Sequence, residues 1–258
     1  MDERIKSLLL SWNEYNEKEF SVPYIYSIKK NKQELIYFGS RHCYNPKDHE
    51  FEIIRKEWLD FYDRNKDREM IVVVEGGVRL IEQTEEGAII KGGEMAFITF
   101  IASKQGVSTT CFEPYRGEIF NGIAKKYGEE KVFYQRMAQV ILQWNTLTQK
   151  PPFEVYIEHF MERDKKESGW GNFNFSLENL KRIHNDIFNT DFNQSNRDFF
   201  YNIIDPSQNS TVINEISRYE DTIRDTVVIK GILEEWQKGK SIFVIYGLAN
   251  SVIQERER

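Results

Sequence analysis

Glu34-Leu35-Ile36-Tyr37-Phe38-Gly39-Ser40-Arg41-His42 is the stretch from which the fold follows. Leu35 to Phe38 form a short apolar, aromatic-rich run, the pattern of a buried strand. Gly39 lets the backbone turn sharply at the strand end. His42 then stands just past a strand terminus, where open α/β sheets place their ligands. Taken alone, the segment reads as a hairpin strand with a surface histidine, and it is the rest of the chain that points to a site.

Upstream, residues 22–29 alternate with β-type residues, and Asn31-Lys32 forms a turn into the strand, giving an N-terminal hairpin. Before the hairpin, Ile5, Leu8, Leu9 and Trp12 fall at helical spacing, so residues 3–18 are expected to form an amphipathic helix. Downstream, the polar loop Asn45–His49 leads to a helix over about 50–64, with Ile53, Ile54, Trp58 and Phe61 on one face. Met70-Ile-Val-Val-Val74 carries no polar alternation, as expected of a central parallel strand, and ends in Glu75-Gly76-Gly77. Gly92-Gly93-Glu94 opens a helix over 95–104, and residues 107–112 form a third strand that ends in Glu113-Pro114. Strand–helix–strand–helix–strand is the order of a mostly parallel sheet with crossover helices. The strands end in His42, Glu75 and Glu113, titratable groups beside turn residues, which predicts a cleft along one sheet edge.

From Tyr115 to about residue 215 the pattern turns helical, broken at Pro151-Pro152, with irregular loops expected at 165–175 and 189–211. This stretch reads as a helical insertion forming a lid or one wall of the cleft. Regular α/β character returns with a long helix over about 213–238, stopped by Gly239, and the strand Ser241–Tyr246. That strand ends in Gly247-Leu-Ala-Asn250, which repeats the design of the opening stretch. The expected fold is therefore one α/β domain over 1–258: a mostly parallel central sheet with an N-terminal hairpin, flanking helices and a helical insertion at 115–215.

Hydrophobic residues at 40% provide a core for a soluble globular protein, and aromatics at 14% predict aromatic-lined interiors. A net charge of −6 argues against binding nucleic acid or an anionic membrane, both of which need basic surface. Ser7–Leu10 is too short for a signal-peptide core, and the two cysteines, Cys43 and Cys111, suit a reducing compartment, so a cytoplasmic location is expected. Cys43 adjoins His42, but neighbouring residues on an extended chain point to opposite faces, which argues against a Cys–His nucleophile pair.

The two strand-Gly-x-x-polar elements resemble the paired G-x-x-H motifs of the TraB/Tiki superfamily, which is related to the erythromycin esterases. The first matches as Gly39-Ser-Arg-His42. Val74-Glu75-Gly76 resembles the family's strand-ending glutamate, Gly93-Glu94 its G-E segment, and Arg224-Asp225 its Arg-Asp or Arg-Asn pair. The matches cover roughly residues 35–115 and 220–255 and leave the helical middle unmatched. Asn250 stands where the family has its second histidine. The resemblance implies hydrolysis of a small-molecule or peptide substrate, assisted in the Tiki proteases by a divalent metal such as Mn or Zn. It makes His42 a general base or metal ligand and gives Glu75 the role of orienting it or sharing the metal. Arg224 would hold a substrate carboxylate or oxyanion, with Asn250 and Glu94 as further substrate contacts.

Each of these residues also has a plainer explanation. His42 fits a turn, Glu94 favours its helix N-terminus through the macrodipole, and Arg224 fits a solvated helix face. Glu75 ends a strand expected to be buried, where a carboxylate needs a partner. Asn250 can ligate a hard cation or hydrogen-bond a substrate, but it cannot take a proton near neutral pH as histidine can. A binding protein that kept the site and lost the chemistry is the alternative function.

Overall fold

The computed structural model describes residues 3–255. Two short helices, α1 (Glu3–Lys6) and α2 (Trp12–Glu17), precede strands β1 (Tyr24–Lys30) and β2 (Gln33–Ser40). Next come α3 (Glu50–Asn65), β3 (Met70–Val74), α4 (Glu85–Lys104) and β4 (Ser108–Thr110). A helical run follows: α5 (Arg116–Tyr127), α6 (Glu129–Thr146), α7 (Phe153–Ser168), α8 (Leu177–Phe188) and α9 (Arg197–Ile204). The long α10 (Val212–Gln237), strand β5 (Ser241–Gly247) and α11 (Leu248–Ile253) close the described chain. Residues up to Glu113 form one compact unit with those from Arg224 onward, and Pro114–Ile223 form a second. The expected insertion, 115–215, falls within the second unit.

The first unit is α/β, built on a five-stranded mixed sheet in the order β1-β2-β5-β3-β4. β1 and β2 are antiparallel, and every other neighbouring pair is parallel. The hairpin turns on Asn31 and Lys32, both at positive φ, the conformation that a two-residue turn between twisted strands requires.

The interior strands bury both faces, and their side chains alternate between two cores. Ile36, Phe38, Val72, Val74, Phe243 and Ile245 pack with Trp58 and Phe61 of α3 and with Phe97 of α4. Leu35, Tyr37, Ile71, Val73, Ile242, Val244 and Tyr246 pack with Val228 and Ile232 of α10. Two apolar faces explain the unbroken apolar runs that mark these strands in the sequence. Burying each such side chain is worth about 1.5–3 kcal/mol.

Several local expectations change. The helix expected over 3–18 is divided, because Ser11 caps α2: its side chain accepts from the Glu14 amide and its own amide donates to the Glu14 carboxylate. The helix expected to open at Gly92-Gly93-Glu94 does start there, because Gly93, at φ 59° and ψ −147°, separates it from an earlier helical segment that begins at Glu85 behind a Thr84 cap. No L side chain adopts those angles without strain, so glycine is needed at the junction.

The second unit is helical and has its own core, which includes Phe120, Phe133, Met137, Ile141, Ile157, Leu180 and Phe200. The segment after α7 is irregular, but Trp170, Phe173 and Phe175 anchor it in an aromatic cluster with Phe133. The loop expected at 189–211 contains α9, capped by Asn196, whose side chain accepts from the Phe199 amide. His184 is buried here, 2.7 Å from the Tyr134 hydroxyl, which accounts for it structurally.

Candidate active site

Parallel register carries the four strand ends to one edge of the first unit's sheet. Ser40 pairs with Gly247, Val74 with Ile245, and Val73 with Thr110. His42 follows β2 by two residues, Glu75 directly follows β3, and Glu113 lies three residues past β4. Asn250 sits in the first turn of α11, which grows straight out of β5. Glu94 arrives just after the Gly93 kink, and Arg224 lies on α10.

The five residues singled out from the sequence meet in one chain of polar contacts. Glu94 accepts from the Ser40 hydroxyl and, at 2.9 Å, from His42 Nδ1. His42 Nε2 lies 3.7 Å from Glu75 Oε2. Glu75 Oε2 accepts from the Gly247 amide at 2.6 Å, and Oε1 accepts from Asn250 Nδ2 at 3.1 Å. Arg224 Nη2 closes the chain by donating to Asn250 Oδ1 at 3.1 Å.

The side chain of Glu94 is 2% exposed, whereas that of His42 is 51% exposed. A buried carboxylate therefore grips one ring nitrogen, and the other lies over Gly247 on the Glu75 side of a half-exposed ring. The Glu94 hydrogen bond raises the His42 pKa above its ordinary value against an opposing burial effect, and the charges of Glu75 and Glu94 add to the rise. Burial alone would push Glu94 up. The bonds from His42, from Ser40 and from its own amide prevail and hold it below the usual carboxylate range.

Two backbone features make the arrangement possible. His42 adopts φ 60°, a left-handed conformation that costs a non-glycine residue about 1–2 kcal/mol and recurs at functional sites. A Cβ on Gly247 would stand 2.6 Å from His42 Nε2 and 3.1 Å from Glu75 Oε2, so only glycine leaves room for the imidazole there.

Glu94 holds His42 at Nδ1, and Glu75 lies 3.7 Å from Nε2 while it is itself held by Gly247 and Asn250. Asn250 has both ends of its amide engaged and links Glu75 to Arg224. Ser40 and Gly247 are not among the candidate site residues taken from the sequence, and Glu113 appears there only as a titratable strand end. Ser40 is a spacer inside the first quoted motif, with no chemical signature of its own, and Gly247 is the glycine that opens the second. Burial pushes the Glu113 carboxyl up, opposed by Arg224 and reinforced by Glu75. Its position after β4 is the signal that marks it.

A divalent metal fits this donor set poorly. His42 Nε2 and Glu75 Oε2 could share an ion, but the Asn250 oxygen faces the Arg224 guanidinium. No third His, Cys, Asp or Glu among the described residues brings a ligand atom within 4.8 Å of both, where a catalytic zinc takes three protein ligands. Among the described residues, one set of three His, Cys, Asp or Glu residues brings its ligand atoms within 4.8 Å of one another: Cys43, Asp48 and Glu50. Burial, then the charges of Glu50, Glu94 and Asp48, push the Cys43 thiol up to about 12. Arg41 meanwhile engages Glu50 at 2.7 Å and Asp48 at 2.8 Å. That set is an arginine-bridged loop with a protonated thiol, and Cys43 is no nucleophile near neutral pH.

Comparisons with protein-family models, with curated proteins and with solved structures found no match for this chain. Among the described residues, no helix is long and apolar enough to cross a membrane.

Proposed function

We propose that this chain is a hydrolase of the TraB/Tiki and erythromycin-esterase type that activates water without a metal. The observation that carries this reading is the imidazole of His42, held through Nδ1 by a buried carboxylate on a half-exposed side chain, with Nε2 engaged by no hydrogen bond as short as that one. Fixing Nδ1–H as the donor leaves Nε2 as the basic nitrogen of the neutral ring. Nε2 takes a proton from water as the water oxygen attacks the substrate carbonyl carbon. The imidazolium then returns that proton to the departing oxygen or nitrogen. Glu75, 3.7 Å from Nε2, stabilises the imidazolium in between. Arg224 offers positive charge to an anionic substrate group or the tetrahedral oxyanion. Asn250 fixes the distance between Glu75 and Arg224, a task that needs an amide and no proton carrier.

One observation favours a second reading, a ligand-binding protein without turnover: Asn250 supplies no second titrating group. A panel of ester and peptide substrates separates the two. The hydrolase reading expects turnover by the wild type and a ~10²–10⁴-fold loss in His42→Ala, the range for removing a general acid–base group. Turnover that persists in His42→Ala refutes it. Stoichiometric binding by the wild type with no turnover across the panel supports the second reading.

A further inference from the structure

A second candidate site lies in the same unit but on the sheet face packed by α10. There the edge strand β1 carries its side chains beyond the cover of the helix. A cavity of about 660 Å³ opens between them, lined by Ile28, Leu35, Ile229, Ile232, Leu233 and Trp236 among others. That volume is within the range of small-ligand sites, which are mostly apolar with a few polar groups.

The polar groups of this cavity point to a particular occupant. Tyr26, Ile28 and Lys30 alternate along β1 and so share one face, spanning roughly 13 Å at the rise of an extended strand. Tyr26 is stacked on Tyr37 at 5.2 Å, and its hydroxyl forms no hydrogen bond among the described residues. Glu255, at one end of the cavity, is neutralised by Lys18 at 2.9 Å and bonded by the Tyr24 hydroxyl. Lys30 lines the cavity as well and has no ion pair among the described residues, so the charge left uncompensated is positive. An elongated apolar trough with a lone cation at one end and a hydroxyl donor along its side is complementary to an amphipathic anion.

We propose that this cavity binds a straight-chain carboxylate of medium length. Its alkyl chain would lie along Ile28, Ile232 and Leu233, with its head group at Lys30. The site shares no residue with the His42 edge and does not rest on the hydrolase reading.

Calorimetric titration of the full chain with decanoate below its micelle concentration tests the proposal, with decanol and decyltrimethylammonium as probes of head-group charge. The expected Kd for decanoate is on the order of 10–100 µM, typical of a ligand of this size. Decyltrimethylammonium should bind more weakly. Lys30→Gln should weaken decanoate about threefold, the scale of an exposed ion pair, and leave decanol unchanged. Leu233→Trp, which fills the trough, should weaken both by more than about tenfold. Ile28 is half exposed, so Ile28→Glu tolerates the change in the fold and should repel decanoate more than decanol. Thermal melts confirm that each variant is folded. Decanoate binding weaker than about 1 mM overturns the proposal. So does equal affinity for the cationic probe, or wild-type affinity in both Leu233→Trp and Ile28→Glu. If the trough instead receives a second copy of the chain, Ile28→Glu will change the sedimentation of the free protein, which also refutes it.

Discussion

Replacing Gly247 by alanine tests the geometry of the His42 edge with a single methyl group. Gly247 has φ −56° and ψ 151°, angles that alanine adopts freely, so the substitution brings no backbone strain. Its amide can still donate to Glu75. What changes is steric: the new Cβ would lie 2.6 Å from His42 Nε2, against an ordinary contact distance of 3.4 Å or more. The imidazole must retreat by about 0.8 Å, and its 2.9 Å bond to Glu94 must stretch or tilt with it. His42 is the end of a half-exposed side chain and can move, so the fold should lose under about 1 kcal/mol, or roughly 2–4 °C in Tm for a chain of this size. A displacement approaching 1 Å at a reacting group costs on the order of 10²-fold in rate, and that is the expected loss of hydrolysis.

The double-mutant cycle with His42→Ala needs no substrate. With the imidazole gone, the closest contact left to the methyl group is Glu75 Oε2 at 3.1 Å, so Gly247→Ala should cost less in that background. Paired urea titrations of the four proteins measure the difference. Equal destabilisation with and without the His42 side chain would refute the idea that this glycine exists to admit the imidazole.

Two further outcomes follow from the same contacts. Glu94→Gln keeps the shape of the buried partner and removes its charge, so the His42 pKa, read from NMR titration of its ring protons, should fall. In the wild type that raised pKa contributes stability that is complete below the ordinary value of 6.5 and is lost as pH rises through the folded-state value. Stability should therefore decline over that window in the wild type and decline less in Glu94→Gln, while the acid limb of any hydrolysis moves to lower pH. An unchanged His42 titration would show that the Nδ1–Glu94 bond is not what holds the ring. His42→Gly should be more stable than His42→Ala by about 0.5–1 kcal/mol, because only glycine occupies φ 60° without strain. Equal melting temperatures for those two variants would show that the backbone there relaxes.

Which segments become interior strands is legible in the residues themselves. Tyr37-Phe38, Val72-Val73-Val74 and Phe243-Val244-Ile245 carry apolar side chains at successive positions, and a strand with successive apolar residues must bury both faces, which helices on both sides of a sheet allow. His42, Glu75 and Asn250 stand out as polar residues at or just past strand ends, whereas Glu94 and Arg224 stand out only through the resemblance of their Gly-Glu and Arg-Asp segments to those of the TraB/Tiki superfamily. Local pattern was less informative where a few residues compete with periodicity. The Ser11 capping box divides the first helix, a Thr84-capped helical segment precedes Gly93, and the Asn-rich segment before α10 forms α9.

Which partner each site residue takes depends on how the unit is folded. That Glu94 rather than Glu75 holds His42 depends on the Gly93 kink, which brings the helix close enough for a Cβ there to press within 2.8 Å of the Cys43 carbonyl. That Asn250 spans Glu75 and Arg224 depends on β5 lying between β2 and β3, with α11 starting directly from its end. The two G-x-x motifs are some two hundred residues apart in the chain, and no local rule reports distances across a sheet. Hydrogen bonds between such residues are set by register and crossover order, which the packing of the whole unit fixes.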